Sequence, residues 1–217
     1  MVEYRSKTSL AVDAMREMII DGKVQAGERF DVRRIASELG MSITPVREAL
    51  RILEAEGLVL YNEHRSISAM ELTTEDAKEL YTLRSFLESM ATEIAAENLT
   101  DADLKEIEAA QQEMVEAAQS GDPTRASAAN RKWHFAIYRS GRTKFVEPFI
   151  IRLWNQFAWS TIWRVPGQLE RSVAEHQEIT AALVARDGAR AARLMREHIA
   201  AGRRAVVDRP ESAEETK

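Results

Sequence analysis

Four histidines occur in the 217 residues, and three of them fall in the C-terminal half at positions 134, 176 and 198. Each sits within an apolar pattern of helical period. His134 shares a face with Asn130 and Ile137, His176 with Val173, Ile179 and Leu183, and His198 with Ala191, Leu194, Met195 and Ala201. A lone inward histidine is ordinarily a satisfied core residue. Three on three different helices, all turned inward, point instead to neutral imidazoles gathered round a divalent transition metal. Asn130 stands one helical turn before His134, so its carbonyl oxygen is a candidate fourth ligand. On another apolar stripe Arg84 lies between Leu80 and Leu87. A buried charge needs a partner, and the choices are Glu88, one turn on, or the carboxylate of a ligand. Tyr81, one turn before Arg84, adds a hydroxyl to the same face. His64 reads as a surface residue.

The N-terminal part carries a different chemistry. Arg33 to Val59, RRIASELGMSITPVREALRILEAEGLV, reads as two helices joined at Gly40. The first is predicted over about Val32–Leu39. The second starts near Ser42 or Thr44, either of which can cap it, and ends at Gly57. Val46, Ala49, Leu50 and Leu53 recur at helical spacing and face a core. Thr44, Arg47, Glu48 and Arg51 occupy the opposite face, where polar and basic side chains can enter a DNA major groove together. A hairpin over Gly57–Met70 follows, with Leu58 and Leu60 expected inward on one strand and Ile67 and Ala69 on the other. Its tip is Asn62 to Ser66.

These elements must be positioned by a chain whose bulk numbers are ordinary. The hydrophobic fraction is 45% and the net charge −5. Residues 1–70 hold ten Lys+Arg against eleven Asp+Glu, so bulk charge does not argue for nucleic acid and the local pattern must. The absence of cysteine excludes disulfides and thiol chemistry. No apolar stretch reaches the roughly 18–20 residues of a membrane span, and residues 1–10 lack a signal-peptide core. The expected location is the cytoplasm.

A helix is predicted over about residues 8–21. After Glu71–Thr74, everything reads as helix: about 74–97, 101–120, 123–140, 144–163, 169–185 and 188–207. The tail is polar and expected to be disordered. The fold class is mainly α: an N-terminal winged helix-turn-helix with a short β-hairpin wing over 1–72, an antiparallel six-helix bundle over 73–207, and a tail over 208–217.

The string LGMSITPVREALRILEAEGLV at Leu39–Val59 resembles the winged helix-turn-helix of the GntR family of bacterial transcription regulators. The resemblance implies DNA contacts from Arg33, Ser42, Ile43, Thr44, Arg47, Arg51 and, in the wing, Arg65. Two positions depart from the family pattern. Ile43 stands where arginine is common and can touch a thymine methyl but not bond a base edge, which implies an altered operator. Ser66 replaces the glycine that usually follows the wing arginine.

The bundle resembles the FCD domain, the effector domain of the FadR subgroup. Its Asp/Asn-x-x-x-His motif corresponds to Asn130 and His134, its Glu-His motif to Glu175-His176, and its Met-x-x-His motif to Met195 and His198. The resemblance implies one divalent metal per chain, zinc or nickel, held by Asn130, His134, His176 and His198. It also implies a small organic acid held by Arg84, with Tyr81 beside it. Relatives often have aspartate at Asn130. Four neutral ligands leave the metal's charge uncompensated and favour an anionic effector.

The expected protein is a homodimeric regulator that binds double-stranded operator DNA, a repressor released by a small carboxylate. The rival is a metal sensor in which the ion itself is the signal. A hydrolase would need a base near the metal, for which only Glu175 and Glu178 are near in sequence. Glu178 is expected to face away, and no His-Glu-x-x-His motif is present. The chain therefore reads as no enzyme.

Overall fold

A computed structural model of the chain describes residues 6–20, 23–61, 66–156, 162–163 and 165–208. The contacts divide the protein into two compact units, Met1–Leu72 with Trp154–Ala158 and Thr73–Leu153 with Trp159–Lys217.

In the first unit, α1 (Lys7–Ile20), α2 (Val32–Glu38) and α3 (Ile43–Ala55) precede a two-stranded antiparallel sheet, β1 (Val59–Tyr61) and β2 (Ile67–Ala69). Asp31 caps α2 by accepting the Arg33 and Arg34 N–H groups at 2.9 and 3.1 Å. Gly40, at φ +62°, makes the left-handed turn between α2 and α3 that a side chain would strain. Ser42 occupies the cap position of α3 but makes no capping bond. Ala11 and Met15 of α1 share one core with Val46, Ala49, Leu50 and Leu53 of α3. Arg16 adds a fork to Glu56, with both contacts at 2.8 Å.

The register of β1 differs from the alternation expected. Val59 is buried while Leu60 is 42% exposed. Leu58 is buried as expected but still belongs to the helix terminus, its N–H bonded to the Leu53 carbonyl at 2.9 Å, and β1 itself does not alternate, with Val59 buried and both Leu60 and Tyr61 exposed. Val59 pairs with Ala69 and Leu60 with Ser68. Ser68 is nonetheless buried. On its other side β2 meets Arg29 in an isolated bridge, and the Phe30 N–H donates to the Ile67 carbonyl at 2.8 Å.

The second unit holds α4 (Thr74–Asn98), α5 (Asp101–Ser120), α6 (Pro123–Ser140), α7 (Val146–Trp154), α8 (Gln168–Val184) and α9 (Gly188–Val206). The starts of α4, α5, α6 and α9 follow the capping rules. Thr73 with Asp76 and Thr100 with Asp103 form reciprocal capping boxes. Asp122 precedes Pro123 at the head of α6, and Asp187 accepts the Arg190 N–H at the head of α9. Helix α4 packs on α9, α5 on α6 and α8, and α8 on α9. A side chain at Gly188 would sit 3.3 Å from the Glu93 carbonyl, so glycine allows the start of α9 to lie against α4. The helix predicted over 144–163 ends at Trp154. Asn155 and Gln156 form a turn, and residues 157–161 of the predicted span lie outside the described residues. No helix among the described residues is long and apolar enough to cross a membrane. Arg65 and His64, like the tail beyond Asp208, lie outside the described residues.

Candidate metal centre and nucleic-acid interface

The bundle brings the three distant histidines together. His134 comes from α6, His176 from α8 and His198 from α9, and their ligand nitrogens all lie within 4.8 Å of one another. The Nε2 atom of His198 is 3.3 Å from that of His176 and 3.3 Å from that of His134. Two nitrogens at the corners of a tetrahedron around an ion with bonds of about 2.0–2.1 Å are separated by roughly 3.3–3.4 Å, and the two pairs that His198 makes have that spacing. Asn130 is buried one turn before His134 on the same helix.

Each ring is held differently. His198 points its Nδ1 at the Glu175 carboxylate, 2.6 Å away. His176 lies flat on the Trp133 ring, centroids 3.7 Å apart and planes within 7°. That indole is fixed in turn by its Nε1–H, which donates to Thr180 at 3.1 Å. The Nδ1 of His176 is buried without a hydrogen-bond partner among the described residues. His134 places its Nδ1 2.8 Å from the Tyr138 hydroxyl, and that hydroxyl donates to Glu88 in a short hydrogen bond. Burial holds His134 and His176 well below the usual imidazole pKa, and the neighbouring histidines push in the same direction. Burial and then the Glu88 charge push the Tyr138 phenol well up, so it keeps its proton.

Arg84 is buried, and its partner is Glu88. Its Nε donates to one carboxylate oxygen at 2.6 Å and its Nη2 contacts the other at 3.4 Å. Of the two partners weighed from the sequence, the internal glutamate is the one in place, so the need to neutralise Arg84 no longer argues for a ligand carboxylate. The guanidinium pKa is raised: burial works to lower it, and the Glu88 charge works against that. Tyr81 packs its ring on the same guanidinium, 5.3 Å from the centroid. It lines a cleft with Thr82, Ser85, Phe86, Arg196 and Ile199, whereas His198 opens onto a different one of about 150 Å³ with Glu175, Glu178, Glu197 and Arg204. Glu178, expected to face away, therefore lines the mouth at His198. The two-residue offset turns it from the His176 ring but leaves it beside α9.

Sequence reasoning found the histidines but passed over Tyr138 and the stacking role of Trp133. The available signal was spacing: Tyr138 is one turn beyond His134, as Glu88 is one turn beyond Arg84.

In the first unit, Ser42, Ile43, Thr44, Arg47 and Arg51 are exposed along α3, and Arg33 is exposed at the start of α2. Ile43 is 41% exposed at the first position of α3, an apolar group offered to solvent. Glu48 on the same helix is tied back to α1 by the Thr8 hydroxyl at 2.8 Å. Among the described residues no ion pair engages Arg33, Arg47 or Arg51.

Comparison with known proteins agrees with both halves. Residues 7–68 match the model of bacterial regulatory proteins, gntR family, and residues 79–201 match that of the FCD domain. The chain is 31% identical to the uncharacterised HTH-type regulator YdhC of Bacillus subtilis over 76% of this chain and 75% of that one. It is 28% identical to the regulator McbR of Escherichia coli over 86% of each. It is also 30% identical to a probable D-xylose utilization operon repressor of Paenarthrobacter nicotinovorans, over 84% of this chain and 81% of that one. The solved structure of E. coli McbR/YncC is similar with a TM-score of 0.83 at 26% identity, covering 91% of this chain and 95% of that one. These relatives are transcription regulators, a non-enzymatic role. The chain belongs to the GntR family of bacterial DNA-binding transcription regulators, in the FadR-like subgroup that carries an FCD domain.

Proposed function

We propose that this regulator holds one divalent transition metal, zinc or nickel, in its FCD bundle and couples the state of that centre to operator binding. His134, His176 and His198 are the ligands, with the Asn130 carbonyl as the fourth. The observation that carries this reading is the convergence of three imidazoles, with the Nε2 of His198 3.3 Å from the Nε2 of each of the other two, while the outer nitrogens of two of the rings engage Tyr138 and Glu175. When bound, the metal supplies a Lewis-acidic position to which a small organic acid can attach. Residues 1–72 form the DNA-reading domain and 73–207 the effector domain. Arg33, Ser42, Ile43, Thr44, Arg47 and Arg51 face the operator, with Arg65 in the wing. Two such domains in a homodimer read a near-palindromic site in the cytoplasm, and effector binding relieves repression. The ligand acts through its different affinity for the DNA-competent and DNA-incompetent arrangements.

A specific observation favours the ion itself as the signal. Arg84 is already paired with Glu88, and the mouth at His198 is lined by three carboxylates, Glu175, Glu178 and Glu197, against one cation, Arg204. Such a rim receives a cation more readily than a carboxylate. Fluorescence anisotropy with operator DNA separates the two readings. Metal-loaded protein that releases DNA only when an organic acid is added supports the effector reading. Release or capture on adding or chelating metal alone supports the sensor reading. Protein that takes up no metal, and whose DNA affinity ignores chelation, overturns both.

A further inference from the structure

We infer that Tyr138, held by the buried Arg84–Glu88 pair, is a positioning residue that fixes the tautomer and orientation of His134 for the metal. This rests on the metal reading above.

The argument follows the protons along one chain of contacts. Arg84 donates to Glu88, its Nε bond to Oε1 being 2.6 Å. A carboxylate facing a guanidinium is an acceptor only. The Tyr138 hydroxyl has one proton, and it donates to the Glu88 oxygen nearest it. The His134 Nδ1 could accept that proton instead, but the close Tyr138–Glu88 contact would then set two acceptors against each other with no proton between them; the Met195 thioether at 3.7 Å is only a weak acceptor. With its proton committed, the Tyr138 oxygen receives a hydrogen bond at the 2.8 Å contact with His134, so the donor must be the Nδ1–H of the imidazole. A neutral imidazole with its proton on Nδ1 has a bare lone pair on Nε2. That atom is the one turned toward His198. Glu175 does the same for His198 with a single carboxylate. Arg84 is thus three contacts from the centre, and its role is to keep Glu88 an acceptor.

Ligand-supporting hydrogen bonds of this kind change metal affinity by 10–100-fold. The test uses the full chain with Zn²⁺ alone, titrated against a chromophoric chelator, in the wild type, Tyr138→Phe and His134→Ala. The expected result is 10–100-fold weaker binding in Tyr138→Phe, with the Co²⁺ visible bands shifted and the melting temperature in chelator changed far less than the affinity. Wild type that binds Zn²⁺ while Tyr138→Phe binds within twofold, with the same Co²⁺ spectrum, overturns the inference and leaves the metal reading standing. Wild type that does not bind Zn²⁺ overturns the metal reading and this inference with it. A second measurement needs no variant. Long-range ¹H–¹⁵N spectra of the chelated wild type are expected to show His134 protonated on Nδ1, and a proton on Nε2 overturns the inference.

Discussion

At the scale of single residues the histidine cluster makes a prediction with a definite sign. His134 and His176 are held neutral by burial, so their folded pKa values lie below the ordinary 6.5. Below that value the unfolded chain takes up protons that the folded chain refuses, and stability is lost as pH falls. Above it the contribution is complete and flat. Thermal denaturation of chelated protein is expected to give constant melting temperatures from pH 8 to 7 and a steady fall toward pH 5, each imidazole contributing up to about 1.4 kcal/mol per pH unit. A flat profile through that range counts against two buried neutral imidazoles. Arg84 gives a second prediction. Arg84→Ala leaves Glu88 buried without its guanidinium and is expected to cost roughly 3–5 kcal/mol. Arg84→Met with Glu88→Leu recovers much of that loss in chemical denaturation, because the desolvated charge is gone. The inward faces of the three histidines were legible from residue spacing, since helical period states which side chains share a face. Which partner Arg84 takes was not, because Glu88 and an external carboxylate satisfy the same charge.

At the scale of elements, the α2–α3 pair was the most legible part of the chain. Glycine at the turn and the inward stripe of Val46, Ala49, Leu50 and Leu53 agree, while Ser42 takes the cap position without the capping bond expected of it. The sheet was less so. A strand that begins directly after a helix terminus has no fixed phase until the last helical hydrogen bond is made, here from Leu58. Helix α7 ends earlier than its apolar pattern predicts, at Trp154, where Asn155 and Gln156 form a turn. The exposed face of α3 makes its own prediction. Arg47→Ala is expected to weaken operator binding by about 1–3 kcal/mol if the guanidinium reads a base, with specificity relaxed at one position. If it neutralises a phosphate instead, binding weakens evenly across sequences and the salt dependence becomes shallower by about one counterion. Anisotropy titrations at several salt concentrations, on operator and mutated operator, distinguish these. No change in either quantity removes Arg47 from the interface.

At the scale of the molecule, the two units have their own cores and each was recognisable by its own motif, one from a continuous string and the other from residues scattered over Asn130 to His198. Scattered motifs become a site only when the helices that carry them pack, which is why the triad needed the fold while the recognition helix nearly did not. The stack of Trp133 on His176 has a use that reaches beyond holding a ring. An indole stacked 3.7 Å from the His176 imidazole is an emitter lodged beside the proposed metal site. Paramagnetic Ni²⁺ or Co²⁺ bound there is expected to quench its fluorescence, and diamagnetic Zn²⁺ to quench it far less. The loss should be stoichiometric, abolished in Trp133→Phe and reversed by chelator. Quenching that survives in Trp133→Phe assigns the signal to another tryptophan. On the metal reading, that indole becomes an optical gauge of occupancy, one that can be followed while operator DNA is titrated in the same cuvette.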